Sequence, residues 1–133
     1  AGLLKPGAVY AAEWNKAAFE SRDVAGALKG IGGSGAAESG QITVKAPDIA
    51  ENGAVVPVEI VSGIAGTESI AIVGEKNGFP LIADFSLMNG AQGYVSTRIK
   101  LGSTSNVRAV VKAGGKVYTA AKEVKVTIGG CGG

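Results

Sequence analysis

From Gln41 to the C-terminus, apolar β-branched residues alternate with polar ones, and this period of two narrows the fold more than any other feature of the chain. Successive side chains of a strand point to opposite faces, so residues two apart share a surface. Ile42 and Val44 open the series. Val56, Val58 and Ile60 share one face of the next run, with Val55 and Glu59 on the other. Ile70 and Ile72 mark a third run, and Leu81, Ala83, Phe85 and Leu87 a fourth. Val95, Thr97, Ile99 and Leu101 oppose Tyr94, Ser96, Arg98 and Lys100. Val107, Ala109 and Val111 lead into Gly114-Gly115, a two-residue hairpin signal. The return run starts near Lys116 and sets Val124, Val126 and Ile128 against Glu123, Lys125 and Thr127. Asn52-Gly53, Asn77-Gly78 and Asn89-Gly90 supply further turns. About seven short strands at roughly 8–12-residue spacing predict an antiparallel β-sandwich, Ig-like in architecture. Pro57, inside a strand pattern, predicts an edge strand or a bulge.

The residues ahead of Gln41 have a different period. Pro6-Gly7 opens a segment whose Glu13, Trp14, Asn15, Lys16, Ala17, Ala18 and Phe19 favour helix. Ser21 is the expected cap of a following helix, with Asp23 in its first turn. Val24, Leu28 and Ile31 recur at helical spacing, and Gly30 or Gly32 can stop the helix. Gly30 to Gly35 formally matches G-x-G-x-x-G, but it follows a helix and leads to a strand. A dinucleotide site needs the opposite order, so the segment is a helix stop and loop. Tyr10, Trp14 and Phe19 are expected to pack the helical segment onto the sandwich. The 133 residues suit one domain over 1–128, mainly β with an N-terminal helical segment. Residues 129–133 stand apart as a C-terminal arm.

Absences narrow the chemistry. The chain has no histidine and one cysteine, which leaves it without the usual general base and without a zinc or iron–sulfur ligand set of its own. No catalytic residue, metal or cofactor is expected. A formal charge of +2 gives no case for nucleic acid, and no apolar run reaches the ~18 residues of a membrane helix. Arg98, Lys100, Arg108 and Lys112 are expected on two adjacent strands, as a solvated face rather than an anion-binding patch. Glu68 and Glu75 bracket a strand with no partner evident for acid–base work.

The lone cysteine, Cys131, lies between Gly129-Gly130 and Gly132-Gly133. Glycine populates both signs of φ, so this arm is expected to be a flexible tether. The step from Ile128 to Cys131 spans roughly 10 Å when extended. No Lys, Arg or His within four residues lowers the thiol from the ordinary cysteine pKa of about 8.5. Such a thiol suits an acceptor that is activated inside another protein's active site. Two other roles fit the tail. Gly132-Gly133 could be activated at its carboxylate, as in ubiquitin-like modifier or sulfur carriers. Alternatively, an Ig-like binding module could use Cys131 to staple a disulfide dimer.

The residues also carry a family likeness. The end Val124-Lys125-Val126-Thr127-Ile128-Gly129-Gly130-Cys131-Gly132-Gly133 resembles the SoxY family of the bacterial thiosulfate-oxidising (Sox) system, with its valine-rich strand and GGCGG terminus. So do the run Ala46 to Val58, Val95-Ser96-Thr97-Arg98, Thr104-Ser105-Asn106-Val107, and Trp14-Asn15 with Phe19. The resemblance implies a periplasmic carrier, exported and cleaved ahead of Ala1, that pairs with a second β-sandwich subunit, SoxZ. It implies Cys131 as the covalent attachment point, with Gly129, Gly130, Gly132 and Gly133 giving the arm freedom and clearance. The haem enzyme SoxAX would couple thiosulfate to Cys131 as a cysteine S-thiosulfonate. SoxB, a metal-dependent hydrolase, would release sulfate, and SoxCD would oxidise the sulfur left behind.

Overall fold

The computed structural model of the protein describes residues 16–87 and 93–127. Residues 16–20 form a helix, α1, and Val24–Gly30 form α2. The strands that follow are β1 (Ala37–Glu38), β2 (Ile42–Lys45), β3 (Ile49–Ala50), β4 (Val56–Ser62), β5 (Thr67–Gly74), β6 (Leu81–Ser86), β7 (Tyr94–Ile99), β8 (Ser105–Ala113) and β9 (Lys116–Val126). The larger sheet runs β1-β9-β8-β5-β6, with β3 also against β9, and the smaller runs β2-β4-β7. The seven longer strands pair antiparallel, as the alternation predicts. The two-residue strands β1 and β3 instead run parallel to β9.

Apolar faces of the two sheets meet in the main core. Ile42, Val56, Val58, Ile60, Val95 and Ile99 from the smaller sheet oppose Ile70, Ile72, Val107, Ala109, Val111 and Val124 from the larger. A second core lies on the opposite face of the larger sheet, where Ala18, Ala27 and Ile31 of the helical segment cover Ala71, Val73, Leu81 and Val110. Phe19 packs against it as expected, whereas Tyr10 and Trp14 lie outside the described residues. The molecule therefore has three layers. Covering both faces buries β5 continuously from Ile70 to Gly74, so alternation shows only half of its burial.

Local chemistry sets the ends of the elements. At the β8–β9 hairpin, Gly114 and Gly115 take φ of 57° and 77°, the pair of left-handed residues that a tight two-residue turn requires. Gly32, at φ 71°, ends α2: its N–H donates to Lys29 O and the next N–H, of Gly33, donates to Leu28 O at 2.7 Å. Those two bonds are the Schellman arrangement, which confirms the helix stop. The cap at the other end is Asp23 rather than Ser21. Its Oδ1 accepts from Gly26 N at 2.5 Å, while Ser21 Oγ donates to Asp23 O. The turn expected at Asn89-Gly90 lies outside the described residues.

Two further expectations change. Pro57 sits in β4, the central strand of its sheet, not an edge. Ser62 N donates to Gly93 O at 2.6 Å, so by alternation Pro57 faces the β2 side. There β2 has already ended, its last pair being Lys45 with Glu59, so the missing N–H costs no ladder bond. Arg98 and Lys100 belong to the smaller sheet and its following loop, while Arg108 and Lys112 lie on β8 of the larger sheet. The four are not neighbours on adjacent strands. Glu75, which the sequence leaves without a partner for acid–base work, accepts from Arg108 Nε at 2.6 Å in a structural ion pair. Arg108 Nη1 also reaches Glu38 Oε2 at 3.2 Å and Thr119 Oγ1 at 3.0 Å. This network holds β1 and the β5 terminus to β8.

Burial pushes the Asp84 carboxyl on β6 above the ordinary carboxylate range, and the Lys112 ammonium offsets part of that. A carboxyl with a raised folded pKa holds more protons folded than unfolded between the two values, so it lowers stability as pH rises through that window. Asp84→Asn is therefore expected to stabilise the protein at neutral pH. The gain should vanish below the unfolded carboxylate pKa of about 3.9. Urea melts at neutral pH and near pH 3 check this; an equal gain at both would mean that titration plays no part.

Candidate functional site

Gly129, Gly130, Cys131, Gly132 and Gly133 lie outside the described residues, as does Ile128. The structure shows where they are attached. Strand β9 pairs with β8 as far as Val124, opposite Ser105, and then continues without it. A strand extending past its neighbour leaves backbone donors that need partners. Each of the next three is met. Lys125 N donates to Asp48 O at 2.9 Å, Val126 N to Thr104 Oγ1 at 2.9 Å, and Thr127 N to Ala50 O at 3.2 Å.

The alternation explains the arrangement. Lys125 and Thr127 face β3, whose parallel pairs are Ile49 with Lys125 and Ala50 with Val126. Val126 faces the side that β8 has vacated, where the Thr104 hydroxyl stands in for the absent strand. Asp48, at the start of the β3 segment, also forms an ion pair with Lys122. That hydrogen bond and the ammonium charge hold its carboxyl below the ordinary carboxylate range. The strand leading to the arm is therefore clamped on both flanks up to Thr127.

The clamp is local to one end of the sandwich. The β7–β8 loop carries Thr104 and is joined to the β3–β4 loop by Leu101 N donating to Gly53 O at 2.7 Å. It is joined to the β5–β6 turn by Asn77, whose Nδ2 donates to Lys100 O at 2.8 Å and whose Oδ1 accepts from Gly102 N at 3.2 Å. Among the described residues no group of three or more His, Cys, Asp or Glu side chains could hold a metal ion. Among those residues no helix is long and apolar enough to cross a membrane. Neither β3 nor the Thr104 bond was foreseen from periodicity. Both lie in runs that carry the family likeness, Ala46 to Val58 and Thr104 to Val107.

Comparison with known proteins bears on this end directly. The family model described as "Sulfur oxidation protein SoxY" matches residues 28–131. The chain belongs to the SoxY family. The SoxY match starts inside α2 and runs through the whole sandwich, the clamp and Cys131. Among solved structures, the sulfur carrier protein SoxY from Chlorobium limicola f thiosulfatophilum aligns at 40% identity with a TM-score of 0.67. The alignment covers 77% of this chain and 94% of that one. An engineered protein aligns at 16% identity and TM-score 0.45 over 66% of this chain and 20% of its own. No curated protein matches the chain.

Proposed function

We propose that this protein is a covalent carrier of sulfur intermediates in thiosulfate oxidation, loaded on the Sγ of Cys131. The observation that carries the proposal is that the SoxY match extends through residue 131 itself, so the terminal cysteine belongs to the region shared with a sulfur-oxidation family. The likeness to a solved sulfur carrier supports it. The protein is not an enzyme in this scheme; it bears the substrate while partners act on it. Gly129, Gly130, Gly132 and Gly133 give the arm backbone freedom and leave room around the thiol in a narrow channel.

In the first step, SoxAX takes two electrons as Cys131 and thiosulfate form a sulfur–sulfur bond, and the thiol proton is lost. The product is a cysteine S-thiosulfonate. Water then attacks its terminal sulfonate sulfur in SoxB; sulfate and two protons leave, and Cys131 keeps a persulfide. In SoxCD three waters supply oxygens to the outer sulfur while six electrons and six protons depart, giving a cysteine S-sulfonate. A final hydrolysis frees sulfate and restores the thiol. SoxZ is the proposed permanent partner, and the periplasm the proposed compartment. Ordering a glycine-rich arm costs roughly 1–2 kcal/mol per residue or more, which keeps each docking brief, as visits to several enzymes require.

The reading separates from carboxylate activation by removing Gly133 while keeping Cys131. Thiol loading with thiosulfate in the reconstituted Sox system is expected to persist near the full-chain level. Complete loss of loading in a normally folded protein would instead assign the chemistry to the terminal carboxylate.

A further inference from the structure

Thr104 is exposed and belongs to neither core, yet its Oγ1 accepts from Val126 N at 2.9 Å. Strand β8 starts at Ser105, opposite Val124, so past that pair this flank of β9 has no strand beside it. The Thr104 hydroxyl takes the place of the missing carbonyl. The other flank is held by β3, which is two residues long and pairs parallel, the weaker geometry. Its Ile49 is 57% exposed, so little apolar burial fixes that strand. Val126 is only partly buried against the main core. The end of β9 therefore depends on hydrogen bonds from both sides.

The loop that presents Thr104 is itself braced. Asn77 ties the residues ahead of it through Lys100 O and Gly102 N, and Ser105 Oγ, just after it, accepts from Lys76 N at 3.0 Å. Where the chain leaves this support decides how long the tether is. From Thr127 to Cys131 the chain extends at most roughly 13–14 Å, whereas from Val124, the last residue paired with β8, it extends roughly 23–25 Å. We propose that Thr104 is a positioning residue for the carrier reaction: by holding Val126 it fixes where the arm is released and keeps the tether short, from Ile128 to Cys131. This rests on Cys131 being the loading point. A partner enzyme grips the folded surface, and the thiol then enters its active site as an intramolecular step. The effective concentration of that step falls roughly as the −3/2 power of tether length, so a tether starting at Lys125 instead of Ile128 lowers it about twofold.

The test uses the full chain and three variants. Thr104→Val keeps the side-chain shape and removes the acceptor, and Thr104→Ser keeps the acceptor. An insertion of three glycines after Ile128 lengthens the tether and leaves the clamp intact. Amide hydrogen exchange at Val126 is expected to quicken about fivefold in Thr104→Val, the worth of one net hydrogen bond, and to keep the wild-type rate in the other two. With thiosulfate in the reconstituted Sox system, Thr104→Val and the insertion are expected to lower kcat about twofold at unchanged KM for the carrier. Thr104→Ser is expected to keep the wild-type kcat. A merely structural role acts the other way, since fewer folded molecules raise the apparent KM and leave kcat alone. Thr104→Ala removes the same acceptor and is read in the same way, should the valine variant not fold.

Tetrathionate loads the thiol without an enzyme. The Cys131 thiolate attacks one of its two inner sulfurs, the central sulfur–sulfur bond breaks, thiosulfate leaves, and the S-thiosulfonate is verified by mass. All forms are expected to load at the same rate. Equal enzymatic kcat in wild type and Thr104→Val overturns the role of Thr104 and leaves the carrier intact. A kcat loss that serine does not avoid, or one confined to the insertion, also overturns it. A wild-type Cys131 that neither tetrathionate nor the Sox system loads overturns the carrier reading, and the role of Thr104 with it.

Discussion

Cys131→Ser is expected to fold and melt as the unmodified protein does and to take no sulfur load at all. The stability half follows from placement. Among the described residues, every buried side chain of the two cores lies between Ala18 and Val124, and the last clamping bond is made by Thr127, ahead of the arm. Replacing sulfur by oxygen at residue 131 changes none of those residues. The functional half follows from the chemistry. A serine hydroxyl ionises far above neutral pH and forms no stable bond to a sulfane sulfur, so the loss should be complete rather than partial. Thermal melts alongside thiosulfate turnover in a reconstituted Sox system check both halves. Turnover retained by the serine variant would contradict the account.

The complementary large effect is on stability alone. Ile60 is fully buried in the centre of β4, opposite Val44 on β2 and Val95 on β7. Ile60→Ala removes methyl groups that face Ile70, Ile72 and their neighbours across the main core. Loss of transfer energy together with the cavity left behind is expected to cost about 2–5 kcal/mol. Against a typical domain stability of about 5–15 kcal/mol, that is a large fraction. Urea melts should show it as a lower midpoint at unchanged slope. The folded fraction should still load Cys131 normally, because the arm and its clamp are untouched. A cost under about 1 kcal/mol would mean that the two sheets pack less closely than their burial indicates.

Much of the sandwich was legible because one-sided burial writes itself into alternation. Val56, Val58 and Ile60 are buried while Pro57 is exposed, as the period of two requires. The pattern weakens where that condition fails. In β5 both faces are covered, so Ala71 and Val73 under the helices are as hidden as Ile70 and Ile72. The strands β1 and β3 are two residues long, too short for any period, and their parallel pairing with β9 needs contacts distant in sequence. The four basic residues were misplaced for a related reason. Alternation assigns faces within a strand, but it does not show that the chain changes sheets between Ile99 and Ser105. That crossing separates Arg98 from Arg108 and brings Lys100 beside Lys76 instead. At the arm, the proposed chemistry rests on a local signal, an isolated cysteine among glycines from Gly129 to Gly133. The clamp was not legible, since it depends on Asp48, Ala50 and Thr104 arriving from elsewhere in the chain.

The central claim is that Cys131 carries the substrate covalently. Its most direct test is the intact mass of the protein isolated from thiosulfate-oxidising cells, before and after a thiol reductant, with peptide mapping and Cys131→Ser in parallel. The account predicts a sulfur-containing adduct that maps to Cys131, is removed by reductant and is absent from the serine variant. An unmodified chain, or only a disulfide-linked dimer, would contradict it and leave Cys131 as a staple in a binding module.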